Sequence, residues 1–178
     1  LNAYLLSRVQ EISGDILLNV SSIIEEVKKN KDQACKKYTQ QFDGIQVEDF
    51  KVDDQEWQTA IEKCNPTFKE AMKRAKDNIE YFHKAQIQSS YRLEKEDGIY
   101  LGQRVLPLDV VGIYVPGGRA QYPSSVLMNA IPARVAGVEK IVMVTPPNQQ
   151  GTIHPNIAYA AKLAGVDEIY KIGGAQAI

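Results

Sequence analysis

The sequence has little cysteine, with only Cys35 and Cys64 in 178 residues. Two cysteines that do not form a CxxC pair are too few for a disulfide framework, so a reducing, cytoplasmic compartment is expected. The chain also has only two histidines, His83 and His154. Neither has a cysteine or carboxylate at metal-ligand spacing, so spacing predicts no metal site in this chain.

The sequence also lacks an excess of either charge and any long apolar run. It carries 21 basic and 22 acidic residues, a formal net charge of −1. Binding to duplex nucleic acid normally requires a basic face, which this mixed pattern does not provide. No apolar run approaches the roughly 20 residues that span a bilayer, and the N-terminus lacks a signal-peptide pattern. Neither nucleic acid nor a membrane is therefore expected as a partner.

The length of 178 residues corresponds to one domain, or to one domain and part of another. Hydrophobic residues make up 44% and charged residues 24%, values typical of a soluble globular protein rather than a disordered one. The chain starts at Leu1 rather than methionine. It stops at Ile178, four residues after the glycine pair at 173–174. We expect both ends to be cut rather than natural.

The first part of the sequence, residues 1–109, is predicted to be mostly helical. Apolar residues recur at helical spacing, and Asp53 followed by Glu56 has the form of a capping box. The predicted helices cover residues 17–29, 31–41, 53–64 and 66–82. Residues 99–106 alternate between apolar and polar side chains, which predicts a half-buried strand.

Residues 110–178 are richer in Val, Ile, Ala, Gly and Pro and poorer in charge. Three short apolar runs alternate with two helical patterns, and the first run, 110–115, is typical of a strand buried on both faces. The predicted order is strand 110–115, helix 123–136, strand 140–145, helix 154–164 and strand 168–172. Two such crossovers imply a parallel sheet. The predicted fold class is therefore α/β, a helical N-terminal region followed by a partial Rossmann-like parallel sheet.

Glycine pairs follow two of the predicted strands. The first strand ends in YVPGG at residues 114–118, and the third ends in GGAQ at residues 173–176. In open parallel sheets, ligands bind outside the carboxyl ends of the strands, and glycine allows a ligand to approach the backbone closely. Tyr114 offers a ring and a hydroxyl, and Gln176 offers an amide. The candidate nucleotide-binding residues are Tyr114, Pro116, Gly117, Gly118, Gly174 and Gln176. From these residues alone, simple turns remain an open alternative, because neither segment is a nucleotide-binding fingerprint.

Five segments of the chain resemble the histidinol dehydrogenase family. VGIYVPGG at residues 111–118 resembles the family's VGxYxPGG segment, and Tyr38 to Asp43 fits its YTxxFD motif. The other similar segments are 124–138, the helix after the glycine loop, 144–147, a strand end, and 163–178, LAGVDEIYKIGGAQAI. Because the order and spacing of the segments agree over most of the chain, it is identified as a member of this family.

The resemblance implies an NAD-dependent oxidoreductase that converts histidinol through histidinal to histidine. It also implies one zinc ion per site, a domain-exchanged homodimer and an architecture related to that of aldehyde dehydrogenases. The family's NAD contacts fall on Tyr114 and Gln176. Its catalytic glutamate–histidine pair and its zinc ligands match no position here, and His83 and His154 do not correspond to them. We expect this chain to be the N-terminal portion of such an enzyme, without catalytic residues and inactive alone.

Two alternatives remain, one another kind of enzyme and the other a protein without catalytic activity. A glutamate-semialdehyde dehydrogenase or other aldehyde dehydrogenase would share a related architecture, but the Tyr-Val-Pro-Gly-Gly loop favours histidinol dehydrogenase. The second alternative is a non-catalytic nucleotide-binding or dimerisation module. A three-stranded parallel sheet leaves an edge and apolar helix faces uncovered, so self-association of the chain is also expected.

Overall fold

The computed structural model describes residues 14–117 and 120–178. The helices are α1 (Gly14–Asn30), α2 (Asp32–Asp43), α3 (Asp54–Glu62), α4 (Pro66–Lys84), α5 (Pro123–Ala136) and α6 (Pro155–Ala164), with a 3₁₀ helix at Ala175–Ala177. The strands are β1 (Tyr91–Glu96), β2 (Ile99–Gln103), β3 (Val110–Tyr114), β4 (Lys140–Thr145) and β5 (Glu168–Lys171). Within the described ranges, no helix is both long enough and apolar enough to cross a membrane.

The predicted parallel sheet is confirmed. Strands β3, β4 and β5 pair in that order, with Val110 opposite Lys140 and Val142 opposite Glu168. Helices α5 and α6 form the two crossovers, and both begin and end within a few residues of the predicted bounds. The α/β fold class predicted from the sequence is therefore the one observed.

Strand β3 differs from the prediction that it is buried on both faces. Val110 is 57% exposed, and exposed and half-buried residues alternate along the strand. The reason is position, because β3 is the outer strand of the sheet and pairs only with β4 among the described residues. The central strand β4 comes closer to the burial that was predicted for β3, since its Ile141 and Met143 are fully buried.

The opposite edge of the sheet is covered by the segment before α3. Val52 donates its N–H to the carbonyl of Ile169 at 2.9 Å, and Lys171 donates to Phe50 at 2.7 Å. This antiparallel contact occupies backbone groups of β5 that would otherwise be unpaired. Only the β3 edge is therefore left without a strand partner in the part of the chain that the structure describes.

Strands β1 and β2 form an antiparallel hairpin that was only half predicted. The expected strand at 99–106 is Ile99–Gln103, and it is exposed throughout instead of half-buried. Its partner β1, rich in charge, was not predicted as a strand. An alternation of polar and apolar residues predicts a strand but does not show whether a core lies against it. This hairpin is held together by pairing between its strands rather than by burial. The Arg92 guanidinium also lies 3.6 Å from the centre of the Tyr100 ring.

The hydrophobic core joins the N-terminal helices to the parallel sheet. It includes Trp57 of α3 and Met72 of α4 together with β4, α5 and α6. The Trp57 indole N–H donates to the carbonyl of Ala158 at 2.9 Å, which anchors α3 on α6. The core therefore crosses residue 109, and the division into regions 1–109 and 110–178 stays a prediction.

The capping box predicted at α3 is only half formed. Asp53 accepts the N–H of Glu56 at 2.7 Å, as predicted. The Glu56 carboxylate does not return to Asp53 but accepts from Lys171 Nζ at 2.7 Å and from the N–H of Ile153 at 3.3 Å. The tertiary ion pair thus replaces the local bond and ties α3 to the end of β5.

Arg134 near the end of α5 holds two helix ends together. Its guanidinium donates to the carbonyls of Val138 and Glu139 at 2.9 and 2.7 Å, and to that of Gly165 beyond α6 at 2.9 and 2.5 Å. It also pairs with the Asp167 carboxylate, which in turn accepts the N–H of Ile141 at 2.7 Å. One side chain therefore joins the loops that follow α5 and α6 by satisfying carbonyls in both of them.

Replacing Arg134 tests this role. Arg134→Ala is expected to lower the free energy of unfolding by about 1–3 kcal/mol, because several carbonyls and one carboxylate lose their donor. Urea denaturation followed by circular dichroism measures the change. Arg104→Ala is the matched control, since Arg104 is exposed and should alter stability by no more than about 0.5 kcal/mol. Equal stability of the two variants would contradict the assignment.

Candidate functional site

The carboxyl ends of β3 and β5 lie together at one edge of the sheet. Tyr114 is the last residue of β3, and its hydroxyl accepts a hydrogen bond from the N–H of Gly174, beyond β5, at 3.2 Å. The parallel register causes this proximity, because strands that run in the same direction end at the same edge. Two of the predicted site residues are thus in direct contact.

Pro146, immediately after β4, packs against both glycine loops. A Cβ atom at Gly117 would lie 3.2 Å from Cδ of Pro146, and one at Gly173 would collide with Cγ of the same ring. Glycine at both positions is therefore explained by a protein neighbour. From the sequence, Pro146 was predicted only as part of a strand end. Its position directly after the middle strand of the predicted sheet could have indicated that it lies between the two glycine loops.

Gly174 is required for a different reason. Its φ of 66° lies in the left-handed region, and a Cβ there would be 2.5 Å from Oε1 of Gln176. The side-chain amide of Gln176 therefore lies against the backbone of Gly174, whose N–H is bonded to Tyr114. These three predicted site residues form one cluster, which we call the Tyr114 cluster (Tyr114, Gly174 and Gln176).

Gln176 is enclosed rather than open to solvent, with 6% of its surface exposed. Its amide nitrogen and oxygen are both buried and have no hydrogen-bond partner among the described residues. Helices α1 and α2 pack on the 3₁₀ helix that carries it, and the Cys35 thiol lies 3.8 Å from its backbone oxygen. The hydroxyl of Thr39 on α2 is also buried and has no partner in the part of the chain that the structure describes. Buried polar groups are normally bonded, so a ligand or water contact is the usual explanation for such atoms.

A cavity of about 470 Å³ lies at the carboxyl end of β4. Thr145 and Pro146 at the end of β4 line one part of it, and Asp43 and His154 line another. We call it the Asp43 cavity. Burial raises the pKa of Asp43 above its ordinary value and lowers the pKa of His154. Asp43 was not among the predicted site residues, although it ends the YTxxFD motif.

His154 has a local structural role. It is the N-cap of α6, and its Nδ1 accepts the N–H of Asn156 at 3.2 Å. The other histidine, His83, lies far along the chain in the last turn of α4, with Nδ1 2.6 Å from Oε1 of Gln86. The structure therefore places only His154 next to the candidate site.

Two of the other predicted residues complete the comparison. Pro116 is exposed in the loop after β3, beside Gly117. Gly118 lies outside the described residues. Five of the six candidate residues therefore lie at the carboxyl ends of β3 and β5, and their role as a nucleotide site stays a prediction.

Metal and nucleophile chemistry find little support in the described residues. No group of three or more His, Cys, Asp or Glu side chains within 14–117 and 120–178 could hold a metal ion. The described residues therefore offer no set of ligands for the zinc ion that the resemblance implies. Burial raises the pKa of both buried thiols, Cys35 and Cys64, which keeps them protonated and unreactive.

The comparisons with known proteins agree in pointing to one family. The family model for histidinol dehydrogenase matches residues 6–178. Histidinol dehydrogenase of Clostridium acetobutylicum is 52% identical over 166 residues, which cover 93% of this chain and 38% of that protein. The enzyme of Methanothermobacter thermautotrophicus is 45% identical over 174 residues, 98% of this chain and 41% of that protein.

A solved structure gives the same answer. The crystal structure of histidinol dehydrogenase from Elizabethkingia anophelis superimposes with a TM-score of 0.88 at 37% identity, covering 96% of this chain and 39% of that chain. This chain thus spans about two fifths of the length of the relatives it matches, the share expected of an N-terminal portion. Since the family model matches nearly the whole sequence, the chain belongs to the histidinol dehydrogenase family.

Proposed function

We propose that this chain forms part of the NAD site of an enzyme that oxidises histidinol through histidinal to histidine. Membership of the family supports this reaction, and the chain covers 38% of the length of the Clostridium acetobutylicum enzyme. The proposed compartment is the cytoplasm, and the proposed assembly is a homodimer. Catalytic and zinc-binding residues are proposed to come from parts of the family fold that this chain does not contain.

The observation that supports the NAD site best is the Tyr114 cluster. Three side-chain or backbone groups from two strand ends meet there, and the amide of Gln176 has neither of its polar atoms bonded within the described residues. A nucleotide presents flat rings and many hydrogen-bonding groups, which match a tyrosine ring, a hydroxyl and a free amide. The residues present therefore fit the cofactor.

Each residue has a separate proposed role. The Tyr114 ring, 36% exposed, offers a face for stacking, and its hydroxyl is held in place by the N–H of Gly174. The Gln176 amide would supply one acceptor and two donors once it turns toward the ligand. NAD, when bound, supplies the acceptor for hydride from the alcohol. The residues of this chain thus bind and orient the cofactor and move no proton.

Titration of the chain with NAD tests this site. Gln176→Ala and Tyr114→Ala are each expected to weaken binding about tenfold or more, because each removes hydrogen bonds or stacking worth about 1–2 kcal/mol. Isothermal titration calorimetry measures the affinity. Gln103→Ala and Tyr100→Ala, both exposed on the hairpin, are the matched controls and should leave it unchanged. The proposal would be contradicted if NAD binding were undetectable, or if the affinity for NAD were unchanged in both Gln176→Ala and Tyr114→Ala.

Turnover tests the reaction. The chain alone is expected to produce no NADH from histidinol and NAD with added zinc, because the residues proposed for catalysis lie outside it. A chimera in which this chain replaces its matching 166 residues in the Clostridium acetobutylicum enzyme is expected to regain histidinol-dependent NADH formation. Absorbance at the NADH band follows both, with the parent enzyme as control. A folded, dimeric chimera without turnover would argue for the alternative of a non-catalytic nucleotide-binding module.

A further inference from the structure

We propose that the carboxylate of Asp43 binds the ribose hydroxyls of the adenosine half of NAD in the Asp43 cavity and thereby selects NAD over NADP. The inference rests on the proposed function, since it requires a dinucleotide at this edge of the sheet. It adds a residue that determines cofactor specificity, outside the Tyr114 cluster.

The position of the cavity matches the ribose position in nucleotide-binding sheets. Strands β3, β4 and β5 are the successive strands of a β-α-β-α-β unit. In such units the pyrophosphate lies at the end of the first strand, and an acidic side chain near the end of the second strand binds the adenosine ribose. Thr145 and Pro146, at the end of the second strand β4, line the cavity, and Pro146 also contacts both glycine loops. The cavity and the two glycine loops therefore share the Pro146 ring as a common wall.

Strand β4 does not itself provide the expected acid. It is followed by Pro-Pro-Asn-Gln-Gln-Gly-Thr at residues 146–152, a segment without aspartate or glutamate. The carboxylate at this place comes instead from Asp43, the last residue of α2. Packing of the N-terminal helices against the sheet thus supplies the group that the strand lacks.

Asp43 is poorly placed for stability, which favours a role in binding. Its carboxylate lies at the C-terminal end of α2, where the helix dipole disfavours a negative charge. It is half-buried, and burial raises its pKa, yet it makes no hydrogen bond or ion pair within the described residues. A partly desolvated charge without a partner is costly. Two ribose hydroxyls would provide the missing donors through charge-assisted hydrogen bonds.

The rest of the cavity wall favours an uncharged ligand group. His154 accepts a backbone N–H at Nδ1, so its Nε2 carries the proton of the neutral ring and can donate. Burial lowers its pKa, which keeps it neutral at pH 7. The described residues that line the cavity include no lysine or arginine. The 2′-phosphate of NADP would be repelled by the Asp43 carboxylate, and no lysine or arginine among the described lining residues would offset that repulsion. NADP would therefore be rejected.

Paired titrations of the chain with NAD and with NADP test the inference. The wild-type chain is expected to bind NAD at least tenfold more tightly than NADP. Asp43→Asn is expected to weaken NAD binding about tenfold and to leave NADP binding equal or stronger, so that the ratio falls to about threefold or less. Asp97→Asn, in the exposed turn of the hairpin, is the matched control and should keep the wild-type ratio. Circular dichroism checks that each variant is folded.

The outcomes separate this inference from the proposed function. NAD binding that depends on Tyr114 and Gln176 while Asp43→Asn keeps the wild-type NAD-to-NADP ratio would overturn the role of Asp43 alone. A wild-type chain that binds NADP as tightly as NAD would do the same. Absence of NAD binding would overturn the NAD site and the role of Asp43 together. If Asp43→Asn fails to fold, Asp43→Glu, which keeps the charge, must keep a preference for NAD for the inference to stand.

Discussion

The ring of Pro146 packs against two backbone segments at once, and the geometry of the whole sheet edge depends on this contact. The proline follows the central strand β4, so it lies between the loops that follow β3 and β5. Both loops carry glycine where a Cβ would press on the ring. Next to Gly173, the N–H of Gly174 donates a hydrogen bond to the hydroxyl of Tyr114, which links the ends of β3 and β5. Glycine in these loops thus serves close packing of protein on protein as well as any ligand.

Several groups near this edge are held at a cost to stability. The Gln176 amide and the Thr39 hydroxyl are buried without partners in the described part of the chain, and the Asp43 carboxylate is partly buried at the unfavourable end of a helix. Elsewhere the same chain satisfies its polar groups closely, as Arg134 does at two helix ends. Local rules of stability are therefore broken mainly where a ligand is proposed to bind, which is the usual pattern at functional sites.

The N-terminal helices contribute more to this edge than their sequence indicates. Their apolar periodicity predicts helices and little else, and packing decides what they cover. Helices α1 and α2 lie on the 3₁₀ helix that carries Gln176, while the end of α2 brings Asp43 to the cavity beside β4. Helix α3 and the segment before it cover the β5 edge and join the core. The helical region and the sheet are thus coupled through the site itself.

The sequence by itself determined the order of helices and strands in 110–178, the parallel sheet and the strand ends at which Tyr114, Gly174 and Gln176 lie. These features depend on local periodicity and on the rule that parallel strands end at one edge. Only the tertiary structure decided that β3 is an exposed outer strand, that Pro146 separates the two glycine loops, that Gln176 is enclosed, and that Asp43 joins the site. Each of these depends on contacts between residues distant in sequence, which no local pattern of polarity records.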